Sequence, residues 1–300
     1  MKILLLGKEG QVGWELQRSL STVGDLVASE QHEVDLERPD DVRRWVRRHE
    51  PDIIVNAAAY TAVDQAESEP EKAHRINAQA VGLLAEEANR LSAWLVHYST
   101  DYVFDGEKTT PYDEGDEANP LSVYGRTKLA GEARIRDCHA KHMIFRTSWV
   151  YAARGKNFAK TMLRLAKERE KISVIADQHG APTSAELIAD VTALALHRAI
   201  QKGSDTDLAG TYHVVARGET SWHGYAQYVL TVARERGFML KTAPEEVYPI
   251  QTEAYPLPAK RPRNSRLNVS KLTGIFGVHL PDWRNHVRRL IEEVALQGGV

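Results

Sequence analysis

Short apolar runs alternate with longer amphipathic stretches through the first half of the chain. The runs are ILLL at 3–6, DLVAS at 25–29, DIIVN at 52–56, WLVHYS at 94–99 and MIFRTS at 143–148. Each is rich in aliphatic or β-branched residues and stops near a Gly, Asn, Ser or Thr, so each predicts a strand. Helical periodicity fills the intervals, and SEPEKAHRINAQAVGLLAEEANRLS (68–92) predicts a long helix. Strands apolar on both faces suit a parallel sheet covered by helices on either side. Beyond this the rhythm loosens. The pattern predicts helices in NFAKTMLRLAKERE, ELIADVTALALHRAI and SWHGYAQYVLTVARERG, and strands at ISVIA and TYHVVA. The proline-rich PIQTEAYPLPAKRPRNSRLN that follows predicts no regular structure. No internal repeat or low-complexity tract appears. The expected fold class is α/β. A Rossmann-like, doubly wound parallel sheet would occupy residues 1–150, with some later segments returning to it. A smaller C-terminal α/β region, mainly substrate-binding, would occupy 151–300.

Composition narrows the function classes. With 300 residues and 42% hydrophobic content, the chain can bury one large core or two smaller ones. The 39 Lys and Arg nearly balance the 41 Asp and Glu, so no global field favours nucleic acid or an anionic membrane. The expected partners are small molecules or protein. The lone cysteine, Cys138, excludes an internal disulfide and fits a reducing compartment, so a cytoplasmic location is expected. MKILLLGKEG has too short an apolar run for a signal peptide, and no stretch is long enough to span a membrane.

Gly7, Gly10 and Gly13 in LLLGKEGQVGWEL follow the first predicted strand and open a helix. Backbone amides there can approach a pyrophosphate without Cβ obstruction, although glycines also mark ordinary turns. Glu30 follows the second strand, where a carboxylate can accept from ribose hydroxyls and would repel a 2′-phosphate; it can equally be a solvated turn residue. Asp35 and Leu36 lie where they could edge an adenine pocket. The small residues of NAAAY (56–60) would let a dinucleotide pass close over the backbone, or serve helix packing.

Tyr124 and Lys128 in NPLSVYGRTKLAGE stand one helical turn apart at a predicted helix start. A carbonyl that receives hydride becomes an alkoxide in need of a proton. A phenol can supply it if a neighbouring ammonium lowers its pKa of ~10 towards neutrality. Among the 11 tyrosines only Tyr124 has Lys at the fourth following position. Thr100, in HYSTDYVFDG, ends the preceding strand, and strand carboxyl ends are where doubly wound sheets bind ligands. Its hydroxyl could steer a substrate carbonyl towards the phenol.

The glycine loop, Thr100, Tyr124 and Lys128 together resemble the extended short-chain dehydrogenase/reductase family. Within it the chain resembles the branch that reduces dTDP-4-dehydro-β-L-rhamnose at C4, the last step towards dTDP-L-rhamnose for lipopolysaccharide. GKEGQVGWELQ, NAAAYTAVDQAE, HYSTDYVFDG, VYGRTKLAGE, FRTSWVYAARGKNFAKTMLRLAKERE, DQHGAPTSAEL and RPRNSRLN all read as that branch's segments, nearly end to end. The resemblance implies NADPH or NADH contacts at Gly10, Gln11, Val12, Glu30, Asp35, Leu36, Ala59, Tyr60, Thr61, Tyr98, Tyr124 and Lys128. It implies sugar contacts at Thr100, Asp101 and Trp149. It also suggests a homodimer with Mg²⁺ held between subunits by Glu15, Glu186 and Glu293, with Glu292 adjacent; no catalytic metal is expected.

Sugar-nucleotide dehydratases of this superfamily carry an Asp-Glu pair after the threonine. Here Asp101 and Tyr102 follow Thr100, which argues against dehydration and for direct ketone reduction. For a diphosphate the chain offers Lys260, Arg261, Arg263 and Arg266, unless these form only a solvated basic turn. Asn157, Phe158 and Gln178 through Thr183 are further candidates for the nucleotide. Two alternatives stay open: a non-catalytic binding or regulatory subunit, like that of methionine adenosyltransferase, and a reductase or epimerase of another nucleotide sugar.

Overall fold

Alternate residues of the first strand belong to opposite cores, which makes the sheet the middle layer of the molecule. The computed structural model describes residues 1–138, 141–202 and 206–296. Strands β1 (Lys2–Leu6), β2 (Asp25–Ser29), β3 (Ile53–Asn56), β4 (Trp94–Thr100), β5 (His142–Thr147) and β6 (Gly210–His213) form one parallel sheet in the order β6-β5-β4-β3-β1-β2. Ile3, Leu5, Val55, Val96 and Phe145 pack on one face with helices α1 (Gln11–Leu20), α6 (Ala185–Gln201), α7 (Trp222–Glu235) and α8 (Trp283–Leu296). Leu4, Leu6, Ile54, Leu95 and Ile144 pack on the other with α2 (Pro39–His49), α3 (Ala80–Leu91) and α4 (Val123–Cys138). Such two-faced burial explains why the strand sequences are almost continuously apolar.

The α/β, doubly wound expectation is met. Strand order reverses beside β1, and the carboxyl ends of β1, β2 and β3 lie level, with Leu6 opposite both Ser29 and Asn56. That edge is the ligand crevice of such sheets. The predicted TYHVVA strand returns to the sheet as β6. ISVIA also forms a strand (Ile172–Ile175), but pairs with Val247–Ile250 in a separate two-stranded sheet. The start of the proline-rich stretch is thus more regular than expected. Pro249 is tolerated because a two-stranded sheet consists only of edges, where a missing N–H need not break a ladder.

The long helix predicted over 68–92 is interrupted by a π-helical turn, Arg75–Gln79. Its Asn77 is buried and grips the loop after β3, accepting from Tyr60 N at 2.9 Å and donating to Tyr60 O at 3.0 Å. Among the described residues no helix is long and apolar enough to cross a membrane.

Candidate active site

The glycine loop is built by close approach. Gly7 has φ +84°, a left-handed value that favours glycine, and a Cβ there would stand 2.8 Å from Ala58 N. A Cβ on Gly13 would stand 1.9 Å from Gly7 O, so α1 can lie against the end of β1 only without a side chain. Gly10 begins α1 with no side-chain cap, which leaves the positive end of the helix to an anion. Beside it opens a cavity of about 790 Å³ lined by Gly7, Glu30, Asp35, Leu36, Ala58 and Ala59 among others. This volume suits a dinucleotide half buried in a crevice.

Glu30 does not stand alone there. Lys8 Nζ lies 3.3 Å from its carboxylate and 3.0 Å from Glu33. The expected repulsion of a 2′-phosphate is therefore offset by a cation that the sequence reading did not include. Gln11 and Val12 form the first turn of α1, and Ala59, Tyr60 and Thr61 follow β3. The Tyr60 hydroxyl donates to Glu69 at 2.9 Å, and burial with that carboxylate pushes its pKa to about 12. Tyr98 reaches the site through its backbone. Its ring belongs to the core, with the hydroxyl 2.9 Å from Thr192 Oγ1, while its carbonyl accepts from Lys128 Nζ at 2.6 Å.

Tyr124 and Lys128 occupy the start of α4, as expected. Ser122 precedes the helix and accepts from Gly125 N at 3.1 Å, and Glu67 accepts from Val123 N at 2.7 Å, so two side chains satisfy its opening amides. The Tyr124 ring packs edge-on against Tyr102, with centroids 5.6 Å apart. One expectation needs correction. The Tyr124 phenol is not lowered towards neutrality: burial, with the Asp101 charge next, pushes it up to about 12, and its hydrogen bond with Thr100 only partly offsets this. Lys128 is 2% exposed, and burial lowers it to about 8. A buried amine has lost much of the charge preference by which it was expected to acidify its neighbour.

Thr100 ends β4 and donates to Asp101 Oδ1 at 3.0 Å, while accepting from Tyr102 N at 3.2 Å. Asp101 is buried, which raises its carboxyl to about 6. Trp149 adopts φ +50°, an unusual value for a bulky residue and the kind of strain that collects at functional sites. Its indole stacks on Trp222 at 3.6 Å, and Trp222 Nε1 donates to Gln178 at 3.2 Å. Trp222 was missed because its position at the start of an amphipathic helix reads as core.

The basic cluster divides. Lys260, Arg261, Arg263 and Gln178 line a second cavity, of about 740 Å³. Within it Arg261 grips Asp64 with both nitrogens, at 3.0 and 2.7 Å, and Arg263 pairs with Glu253. Arg266 lies elsewhere, beside Pro111 and Val215, with its guanidinium bonded to Asn264, Thr109 O and Glu219. The three-residue step from Arg263 to Arg266 along extended chain turns the two guanidinia to opposite sides, so they line different cavities. Asn157 is a structural tie, capping α5 (Phe158–Glu168) and donating to Gln11 Oε1 at 3.1 Å.

Glu15, Glu186 and Glu293 come within electrostatic reach. Burial and then the Glu186 charge raise the Glu15 carboxyl, with a smaller push from Glu293. They do not form a ligand shell within one chain: among the described residues only Glu30, His32 and Glu33 have ligating atoms close enough together, and Lys8 already pairs with that group. Arg18 and Arg289 stand beside Glu15 and Glu186, while Glu292 pairs with Arg236.

A Rossmann sheet whose carboxyl edge carries a phenol and an amine one helical turn apart is the architecture of dinucleotide-dependent oxidoreductases, and the chain is of that class. The family model described as the RmlD substrate binding domain matches residues 1–296. The dTDP-4-dehydrorhamnose reductase of Salmonella typhimurium is 55% identical over 298 residues, covering 98% of both chains. The crystal structure of a dTDP-4-dehydrorhamnose reductase from Clostridium acetobutylicum superposes with a TM-score of 0.86 at 34% identity, covering 98% of this chain and 100% of that one. The Bacillus anthracis reductase, solved in complex with NADP, gives 0.85 at 36% identity, covering 97% and 99%. The chain belongs to the dTDP-4-dehydrorhamnose reductase family.

Proposed function

We propose that the protein reduces the C4 ketone of dTDP-4-dehydro-β-L-rhamnose to dTDP-L-rhamnose, using NADPH or NADH. The observation that carries this reading is the placement of Tyr124 and Lys128 on the first turns of α4, beside Thr100 at the carboxyl edge of the sheet. The glycine loop and its cavity fit a nicotinamide dinucleotide, which when bound supplies the hydride. Gly7, Gly10, Gln11, Val12 and Gly13 would cradle the pyrophosphate; Glu30, Asp35 and Leu36 would meet the adenosine half, and Ala59, Tyr60, Thr61 and the Tyr98 backbone the remainder.

Tyr124 gives its proton to the oxygen that forms at C4. A phenol near 12 is still a stronger acid than the sugar alcohol it creates, so the transfer is favourable without full acidification. Lys128, when protonated, stabilises the resulting phenolate and binds ribose hydroxyls. Thr100 orients the carbonyl, Asp101 and Trp149 contact the sugar, and Gln178 with Arg263 meets the nucleotide diphosphate. In this reading residues 1–150, with β6, form the cofactor unit, and most of 151–300 holds the substrate.

The same reading places the protein in the cytoplasm, in the supply of sugar for lipopolysaccharide, as a homodimer. Glu15, Glu186 and Glu293 would meet Mg²⁺ between two copies. Repulsion at Glu15 supports such an ion, the incomplete shell of one chain requires the second copy, and no step of the reaction passes through it. A binding subunit without chemistry has no use for an amine buried one helical turn from a buried phenol, which favours the reductase.

Purified protein mixed with dTDP-4-dehydrorhamnose should consume NADPH or NADH and yield dTDP-L-rhamnose. Tyr124→Phe should lower turnover by about 10²–10⁴-fold with cofactor affinity nearly unchanged. Undiminished turnover would remove Tyr124 as the acid. No consumption by the unaltered protein with either cofactor would remove the activity.

A further inference from the structure

His97 interrupts an otherwise apolar strand core, is 1% exposed, and lies between Asn56 on β3 and Lys128 on α4. Four hydrogen bonds run through it in one direction. Ala58 N donates to Asn56 Oδ1 at 3.2 Å. A main-chain N–H can only donate, so it settles which end of the Asn56 carboxamide is oxygen. Asn56 Nδ2 then faces His97 Nδ1 at 3.2 Å, which makes Nδ1 the acceptor and leaves the imidazole proton on Nε2. Nε2 lies 3.1 Å from Lys128 Nζ, and Nζ in turn donates to Tyr98 O at 2.6 Å.

An ammonium has no lone pair, so it would turn an N–H towards the Nε2–H. Shifting the imidazole proton to Nδ1 removes that clash but strands the buried Asn56 Nδ2 donor. All four bonds are satisfied together only when Nζ is the neutral amine.

We propose that Asn56 and His97 are positioning residues that act through Lys128: they lock the imidazole as its Nε2–H tautomer, oppose the ammonium, and so make the charge on Lys128 conditional. The lowering of Lys128 by burial works in the same direction. The other charged groups near the amine do not cancel the effect. Tyr124 stands one turn earlier on α4. Glu132, one turn later, favours the ammonium but is paired with Arg146 from β5 at 2.6 Å and with Arg136 at 2.9 Å. The proposal rests on the reductase reading for its consequence: activity needs the ammonium to stabilise the Tyr124 phenolate, so kcat/KM falls as pH rises through the Lys128 range. Releasing the lock raises the proton affinity of Lys128 and carries that fall to higher pH.

The test has two arms. In the full-length protein labelled with ¹⁵N-histidine, the His97 signals, identified in the unaltered protein by through-space contacts between the imidazole and the Lys128 side chain, should report a bare Nδ1 and a protonated Nε2 above the alkaline limb. A protonated Nδ1 there overturns the proposal even if neither variant folds. In the second arm, His97→Gln can turn a carbonyl to the ammonium, and Asn56→Leu frees the tautomer. Each should move the alkaline limb of kcat/KM upward by about one pH unit. A limb unmoved in both, with unfolding temperatures intact, overturns the coupling to Lys128. Failure of the unaltered protein to reduce the sugar would refute the proposed activity and leave the tautomer measurement standing.

Discussion

Asp101→Asn isolates the energy stored in one buried charge. Asp101 is 2% exposed, and burial raises its carboxyl from 3.8 to about 6, with hydrogen bonds from Ser265 and Thr100 pulling partly back. In the unfolded chain the group returns to its ordinary range. A gap of roughly two pKa units, at ~1.4 kcal/mol each, means that ionised Asp101 lowers folding stability by about 3 kcal/mol at neutral pH. The sign follows from proton binding. The folded protein holds this proton more tightly, so the contribution of Asp101 is fully favourable below the unfolded pKa and is lost as pH rises through the folded one. Asparagine keeps the shape and the acceptor for Thr100 but never charges. The variant should be more stable than the parent at pH 7 by up to about 3 kcal/mol, less ~1 kcal/mol if the new amide N–H finds no partner. The advantage should shrink as pH falls towards about 4. Urea unfolding of both proteins across this range, with equal m-values, measures it. A stability difference that stays constant from acid to neutral pH refutes the reasoning, because no proton would then be linked to folding at this site.

Two further outcomes are expected. Gly13→Ala should destabilise the protein by about 3 kcal/mol or more and weaken NADPH binding, because the added Cβ meets the Gly7 backbone rather than a movable side chain; an unchanged unfolding temperature would contradict the close approach. Lys8→Met should weaken NADPH binding about tenfold more than NADH binding at low salt, since Glu30 and Glu33 would then face the 2′-phosphate without their cation. Equal losses in the two dissociation constants would show that Lys8 does not offset those carboxylates.

Much of the fold is written in local pattern. Continuous apolar strands such as IIVN at 53–56 and helices between them imply a two-faced parallel sheet, because each strand must bury both sides. The Tyr124–Lys128 spacing places both residues on one helix face wherever that helix sits. Glycines after the first strand imply a close backbone approach, and Gly7 and Gly13 make it.

What the sequence determined by itself is therefore periodic or local: the α/β class, the order of strands and helices, the glycine turn, and the pairing of phenol with amine. What only the tertiary structure decided depends on partners distant in the chain. Arg263 and Arg266 diverge into separate cavities, Asn157 ties α5 to the glycine loop, and Trp222 comes to lie on Trp149. His97 reads in sequence as one polar residue in an apolar strand; packing β4 between β3 and α4 gives it Asn56 on one side and Lys128 on the other. The physical reason is that burial and charge act through space. Desolvation raises Asp101 and Tyr124 and lowers Lys128, and the neighbours responsible adjoin one another only once the chain has folded.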